Sequence, residues 1–236
     1  MSVSYHMSES YKSTVLNRAQ AAGNWTEADR PLVIIVDDDD SLRESLHELM
    51  QSAGLDSISF ASTREFLEAE LPDRPGCLVA DVRMPGVSGL DLQHRLVESG
   101  DAKPIVFLTA HGDIPMSVQA MKAGAVDFLT KPVRDQTLLD AIATGIERDI
   151  KQLAHSRMVK EHLSKLALLT PRERQVLREV AVGRLNKQIA FYLSISEITV
   201  KLHRSNVMRK MQLTSVGELV RVWEALPAEV RERVDA

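Results

Sequence analysis

Cys77-Leu78-Val79-Ala80-Asp81-Val82-Arg83-Met84-Pro85-Gly86-Val87-Ser88-Gly89-Leu90 is a short apolar run that ends on one carboxylate. A Pro/Gly loop follows, and then a helical pattern over Gly89–Glu98. The run Cys77–Ala80 fits a strand buried on both faces of a parallel sheet, with Asp81 at its carboxyl end. Open α/β sheets keep their ligands at that end. A lone Asp after a strand ordinarily forms a turn or caps the next helix. The argument therefore depends on what the other strands carry at the same end.

Leu32-Val33-Ile34-Ile35-Val36 is a second run of this kind, and it ends in Asp37-Asp38-Asp39-Asp40. Ser41-Leu42-Arg43-Glu44 reads as a capping box that opens a helix with Leu42, Leu46, Leu49 and Met50 on one face. Gly54 closes that helix, Leu55–Phe60 is a strand, and Ser62-Thr63-Arg64-Glu65 opens a second helix. Pro104–Thr109 and Ala125–Leu129 are further strands, separated by a helix over Asp113–Ala123. Lys131-Pro132 follows the last strand, and a helix from near Arg134 carries Leu138, Leu139, Ile142, Ile146 and Ile150. Five strand–helix alternations predict a doubly wound, five-stranded parallel sheet.

Residues 149–165 are mostly polar and lack Gly and Pro, which predicts a helical linker. A second domain opens at Thr170-Pro171-Arg172-Glu173, a capping box with Pro at the first helical position. Its helix runs to Val182. Asn186–Leu193, the tight turn Ser194–Ser196, Glu197–Met211 and a helix capped by Ser215 complete an all-α, four-helix domain of helix-turn-helix type. The expected organisation is an extension over 1–30, an α/β domain over 31–148, a linker over 149–165 and the helical domain over 166–236.

The chain has 236 residues, 44% hydrophobic and 26% charged, the balance of a soluble globular protein. Cys77 is the only cysteine, which excludes an intramolecular disulfide and fits a reducing compartment. No apolar run reaches the ~18 residues of a membrane span, so the expectation is a cytoplasmic protein without a membrane partner. The net charge of −4 is unevenly spread: residues 166–236 balance at +4 and the remainder at −8. The basic domain is the part expected to meet an anionic partner.

In a sheet of order 2-1-3-4-5, the carboxyl ends of strands one, three, four and five meet at one crevice. Those ends carry Asp37 and Asp38, Asp81, Thr109 and Lys131. Three carboxylates in one crevice repel one another unless a cation sits among them. An all-oxygen donor set points to magnesium. Lys131 and Thr109 suit phosphoryl oxygens. Asp81 is then a nucleophile that forms an aspartyl phosphate.

With these residues in place, 32–148 resembles the receiver domain of two-component response regulators, and 166–231 resembles a LuxR-type DNA-binding domain. The layout is similar to the NarL/FixJ class. The resemblance implies that Asp81 is the phosphoacceptor and that Asp38 is a direct and Asp37 a water-mediated magnesium ligand. The Arg83 backbone carbonyl would be a further ligand. Thr109 and Lys131 match the switch hydroxyl and the family lysine, and Phe128 matches the switch aromatic. It also implies a cis peptide bond at Lys131-Pro132. The expected partners are a sensor histidine kinase, double-stranded promoter DNA, a second copy of the chain when phosphorylated, and RNA polymerase.

On the helix Glu197–Met211, the expected core side chains are Ile198, Val207, Met208, Met211 and, in part, Leu202. Thr199, Lys201, Arg204, Ser205 and Arg209 are expected on the outer face. Lys201 and Arg204 would reach base edges or phosphates. Leu202 resembles the family's apolar position near thymine methyls, and Asn186 and Lys187 are placed to touch phosphate. The expected product is a DNA complex, so the chain catalyses only its own phosphorylation and dephosphorylation and is not counted an enzyme. A haloacid-dehalogenase-like phosphatase is a rival, but it expects a second Asp where Arg83 stands. A second rival is a DNA-binding regulator whose receiver is an unphosphorylated interaction module.

Overall fold

The structure, a computed structural model, describes residues 30–100, 103–110 and 112–233. All but the last residue of the expected 1–30 extension lies outside them. Two compact units divide the chain at Leu153/Ala154.

In the first unit the elements are β1 (Leu32–Val36), α1 (Asp40–Ser52), β2 (Asp56–Phe60), α2 (Thr63–Glu68), β3 (Gly76–Ala80), α3 (Gly89–Ser99), β4 (Ile105–Thr109), α4 (Ile114–Lys122) and β5 (Asp127–Thr130). The sheet order is β2-β1-β3-β4-β5, and every pairing is parallel. Alternation along each central strand feeds two cores. Val33, Ile35, Cys77, Val79, Val106 and Leu108 lie in one. Leu32, Ile34, Val36, Leu78, Ala80, Ile105 and Phe107 lie in the other. A strand covered on both faces must be apolar at every position, which is why these runs show no polar alternation.

The first helix starts differently from the expected capping box. Asp39, not Ser41, is the N-cap, and its carboxylate accepts the Leu42 N–H at 3.2 Å. Ser41 lies inside α1, two residues past its cap. An Asp accepts there as well as a Ser does and adds a charge that favours a helix N-terminus.

Helix α5 (Asp135–Ala167) is continuous through residues 149–165. Asp149, expected as the first linker residue, is buried and accepts the Gly76 N–H and the Lys103 ammonium, both at 2.7 Å. That acid therefore anchors the start of β3, and the compact unit reaches past it to Leu153. None of the described helices is long and apolar enough to cross a membrane.

The second unit contains α6 (Pro171–Ala181), α7 (Asn186–Leu193), α8 (Glu197–Met211), α9 (Val216–Ala225) and α10 (Ala228–Arg233), the last an addition to the four helices expected. Its core gathers Val176, Leu177, Val180, Ile189, Val200, Val207, Met211, Leu219 and Trp223. Thr170 and Glu173 form a full capping box, and Glu173 also takes the Lys210 ammonium at 2.7 Å. Burial alone would raise the Glu173 carboxyl. Hydrogen bonds from Lys210 and Thr170 outweigh burial and hold it below the usual carboxylate range.

A lowered folded-state pKa stabilises the native state above the ordinary glutamate value and loses that contribution as pH falls through the folded value. Glu173→Ala is expected to destabilise this unit by about 2–3 kcal/mol, from a lost cap and a broken, largely buried pair. Thermal unfolding followed by the fluorescence of buried Trp223 checks this, and the deficit should shrink below about pH 4.

Candidate functional site

The carboxyl ends of β1 and β3 bring three acids together. Carboxylate oxygens of Asp37, Asp38 and Asp81 all lie within 4.8 Å of one another, with Asp37 and Asp81 buried and Asp38 exposed. Lys131, just after β5, places its ammonium 2.7 Å from Asp37 Oδ2 and 2.7 Å from Asp81 Oδ2. The Lys131-Pro132 bond is cis. Backbone donors take the remaining oxygens: Asp39 N–H to Asp37 Oδ1 and Arg83 N–H to Asp81 Oδ1, each at 3.0 Å. Arg83 therefore enters the site through its backbone, while its side chain is exposed.

Charge balance in this cluster is incomplete. At an effective dielectric constant of about 20, each carboxylate pair at this separation repels by about 3 kcal/mol. Lys131 pairs with Asp37 and Asp81, and among the described residues no ion pair reaches Asp38 to offset the repulsions that involve it. Burial acts to lower the Lys131 pKa, but bonds to Asp37 and Asp81 more than reverse this and raise it above the usual lysine value. The site thus keeps a charged lysine and an unbalanced all-oxygen donor set, which fits a hard divalent cation.

The loop from Asp81 is held close by Gly89. A Cβ at that position would fall 2.2 Å from the Asp81 carbonyl oxygen, so only glycine lets the first turn of α3 approach it. Arg43 was not expected in the site. Its Nη1 donates to the Asp37 carbonyl at 2.6 Å, and it also pairs with Asp40. Only its position near the start of α1 could have signalled this.

Thr109 ends β4 and is fully buried, and Phe128 lies half-buried on the neighbouring β5. The Phe128 ring packs 6.0 Å from that of Phe107. It also covers Gly112, where an added Cβ would lie 2.7 Å from Phe128 Cε1 and 3.3 Å from Thr109 Cγ2. Gly112 has no unusual backbone angle, so its missing side chain serves the ring. Gly112→Ala should displace Phe128 from this seat. In protein carrying fluorinated phenylalanine, the Phe128 signal should shift strongly and that of the packed Phe107 to a lesser extent, while the other three of the five stay near their places.

In the second unit, Ser196 caps α8 by accepting the Thr199 N–H at 3.1 Å, and its hydroxyl lies 2.8 Å from that of Thr199. Lys187, Lys201, Leu202, Ser205 and Arg209 are exposed. Arg204 is half-buried and donates to Asn186 Oδ1 at 2.7 Å, so these two side chains brace α7 against α8. Lys210, the last cation of this helix, is held by Glu173 and by the Leu168 carbonyl at 3.2 Å. Two expectations for the helix core are corrected as well. Ile198 is 80% exposed and Leu202 59%, while Val200 is fully buried in their place.

Two family models match the chain: the response regulator receiver domain over residues 33–143 and the luxR family of bacterial regulatory proteins over residues 167–223. Nodulation protein W of Bradyrhizobium diazoefficiens is 49% identical over 205 residues, covering 86% of this chain and 90% of that protein. The transcriptional regulatory protein FixJ of Azorhizobium caulinodans is 44% identical, covering 86% and 96%. Among solved structures, the response regulator StyR superposes with a TM-score of 0.72 at 47% identity, covering 83% of this chain and 98% of that one.

Proposed function

The chain belongs to the two-component response regulators that join a receiver domain to a LuxR-type DNA-binding domain, and on that premise we propose that Asp81 is its phosphoacceptor, that a sensor histidine kinase is the donor, and that phosphorylation pairs two chains on promoter DNA. The observation that carries this reading is Lys131 bridging Asp37 and Asp81 beside a third, unbalanced carboxylate.

An Asp81 carboxylate oxygen attacks phosphorus, the phosphorus–nitrogen bond of the donor phosphohistidine breaks, and the imidazole leaves with a proton. Lys131 already lies at hydrogen-bond distance from Asp81 and follows the charge onto the phosphoryl oxygens. Asp38, Asp81 and the Arg83 carbonyl would hold magnesium directly and Asp37 through water, and the ion would supply positive charge opposite the phosphoryl oxygens. Thr109 turns toward the new phosphoryl group, and Phe128 leaves its seat on Gly112 for the space vacated. A local charge change thereby biases the surface around β5 and α4.

The paired form presents two copies of α8 to promoter DNA in the cytoplasm and can there meet RNA polymerase. Beyond its own phosphorylation and dephosphorylation it turns over no substrate. Against a receiver that serves only as an unphosphorylated interaction module stands the complete set: three acids within 4.8 Å of one another and a lysine bonded to two of them.

Labelling with acetyl phosphate tests the reading. Incorporation should require magnesium and stop with a chelator. Absence of label in the presence of magnesium would leave the interaction-module reading in its place.

A further inference from the structure

The segment that carries two of the three acids is very short. Between the end of β1 at Val36 and the first residue of α1 at Asp40 stand only Asp37, Asp38 and Asp39. Asp37 is tied down on all sides. Its Oδ1 accepts the Asp39 N–H at 3.0 Å, its Oδ2 takes the Lys131 ammonium at 2.7 Å, and its own N–H reaches the Phe60 carbonyl at 3.2 Å. Asp39 spends its carboxylate on the cap of α1. Asp38 differs from both: it is exposed, and among the described residues nothing bonds its carboxylate.

The direction of Asp38 is therefore set by its backbone, and Arg43 holds that backbone. Nη1 of Arg43 donates at 2.6 Å to the Asp37 carbonyl, which is the oxygen of the Asp37–Asp38 peptide, and Nη2 pairs with Asp40. A peptide unit is planar, so fixing its oxygen fixes the direction in which the next Cα leaves it. The Arg43 side chain is only 14% exposed, so little water competes for this bond. A guanidinium presents its donors in a rigid fork, which lets one side chain clamp the peptide and the start of α1 together. Its charge is already met by Asp40, and its bond within the cluster goes to main chain and not to a carboxylate. Arg43 is thus built to shape the acidic turn.

We infer that Arg43 is a positioning residue for magnesium, which acts through the Asp37–Asp38 peptide to hold the Asp38 carboxylate ready for the ion. This rests on the magnesium reading above and adds to it a residue outside the ligand set. Without Arg43, an exposed carboxylate repelled by Asp37 and Asp81 turns toward solvent, and part of the ion's binding energy goes into drawing it back.

Charge and position have opposite signs here. A cation beside the cluster repels a divalent ion, so an Arg43 that acted by charge alone would, when removed, leave metal binding tighter. Loss of positioning weakens it, and removal of a group that orients a metal ligand typically costs ~10–100-fold in affinity.

The test uses the full chain without a phosphodonor and Mn2+ as the probe, its free form counted by electron paramagnetic resonance and its bound form displaced by Mg2+. Arg43→Gln should bind both ions about tenfold more weakly than the wild type. Arg43→Lys keeps the charge but lacks the planar fork, and it should lose nearly as much. Labelling by acetyl phosphate gives a second readout. Both variants should need about tenfold more magnesium for half the maximal rate, while the maximal rate falls less than about twofold, since saturating ion draws the ligand back into place.

Metal binding by Arg43→Gln that is unchanged or tighter, with Arg43→Lys like the wild type, would overturn the inference and leave the magnesium reading standing. A maximal rate that collapses in both variants at saturating magnesium, or failure of both to fold, would make Arg43 a general structural support and likewise overturn it. A wild type that binds neither ion would remove the magnesium reading and this inference together.

Discussion

Asp81→Asn is expected to leave the chain folded and to cut acid-labile labelling by acetyl phosphate by at least ~10³-fold, since an amide cannot form the acyl phosphate. The fold should survive because the asparagine carbonyl can still accept the Arg83 N–H that Asp81 Oδ1 accepts at 3.0 Å. The Lys131 ammonium keeps Asp37 at 2.7 Å. Removing the Asp81 charge relieves two repulsions of about 3 kcal/mol each but also gives up the Lys131–Asp81 pair at 2.7 Å, so stability should stay close to that of the wild type. Intact-mass measurement after treatment with the phosphodonor reads the label, and a melting curve reads the fold. Undiminished labelling of the variant would move the phosphoacceptor elsewhere.

The second large effect lies in DNA binding. With Lys210 tied to Glu173 and Arg204 to Asn186, the cations of α8 that remain exposed are Lys201 and Arg209. A single such unit should bind specific DNA weakly, with a steep loss as salt rises. Joining two units makes the second contact intramolecular, which can raise apparent affinity by ~10²–10⁴ without any new contact. Phosphorylated protein should therefore bind a duplex with two half-sites far more tightly than a duplex with one.

Lys201→Ala should weaken the single half-site roughly tenfold, a loss of about 1.4 kcal/mol. The paired complex should lose that contact twice, or roughly a hundredfold. Equilibrium titrations on the two duplexes check this. An equal loss on both would show that only one α8 engages.

Much of this was legible in the chain itself. Apolar runs without alternation identified strands covered on both faces, and the residues at their ends gave Asp37, Asp38, Asp81 and Lys131, which the structure gathers at one place. What sequence reading missed has physical reasons. Helix α8 carries apolar residues on opposite sides, so periodicity alone could not tell Val200, which is buried, from Ile198, which is not. The Lys210–Glu173 pair joins residues 37 apart, and a local pattern has no means of showing a bond across that distance. Asp149 looked like linker because acids usually face water, yet a backbone N–H and a lysine hold it in the interior. Gly112 has no ordinary turn signature, and its role becomes visible only once Phe128 is seen above it.

The central claim, that a phosphoryl group on Asp81 controls DNA binding by pairing two chains, is tested most directly by analytical sedimentation of the full chain with a two-half-site duplex. The measurement is made with and without acetyl phosphate and magnesium, on the wild type and on Asp81→Asn. Two chains per duplex for the treated wild type, and loss of that species both without the phosphodonor and in the variant, is the predicted result. Tight binding of one phosphorylated chain per duplex, with no paired species at any concentration, would contradict it.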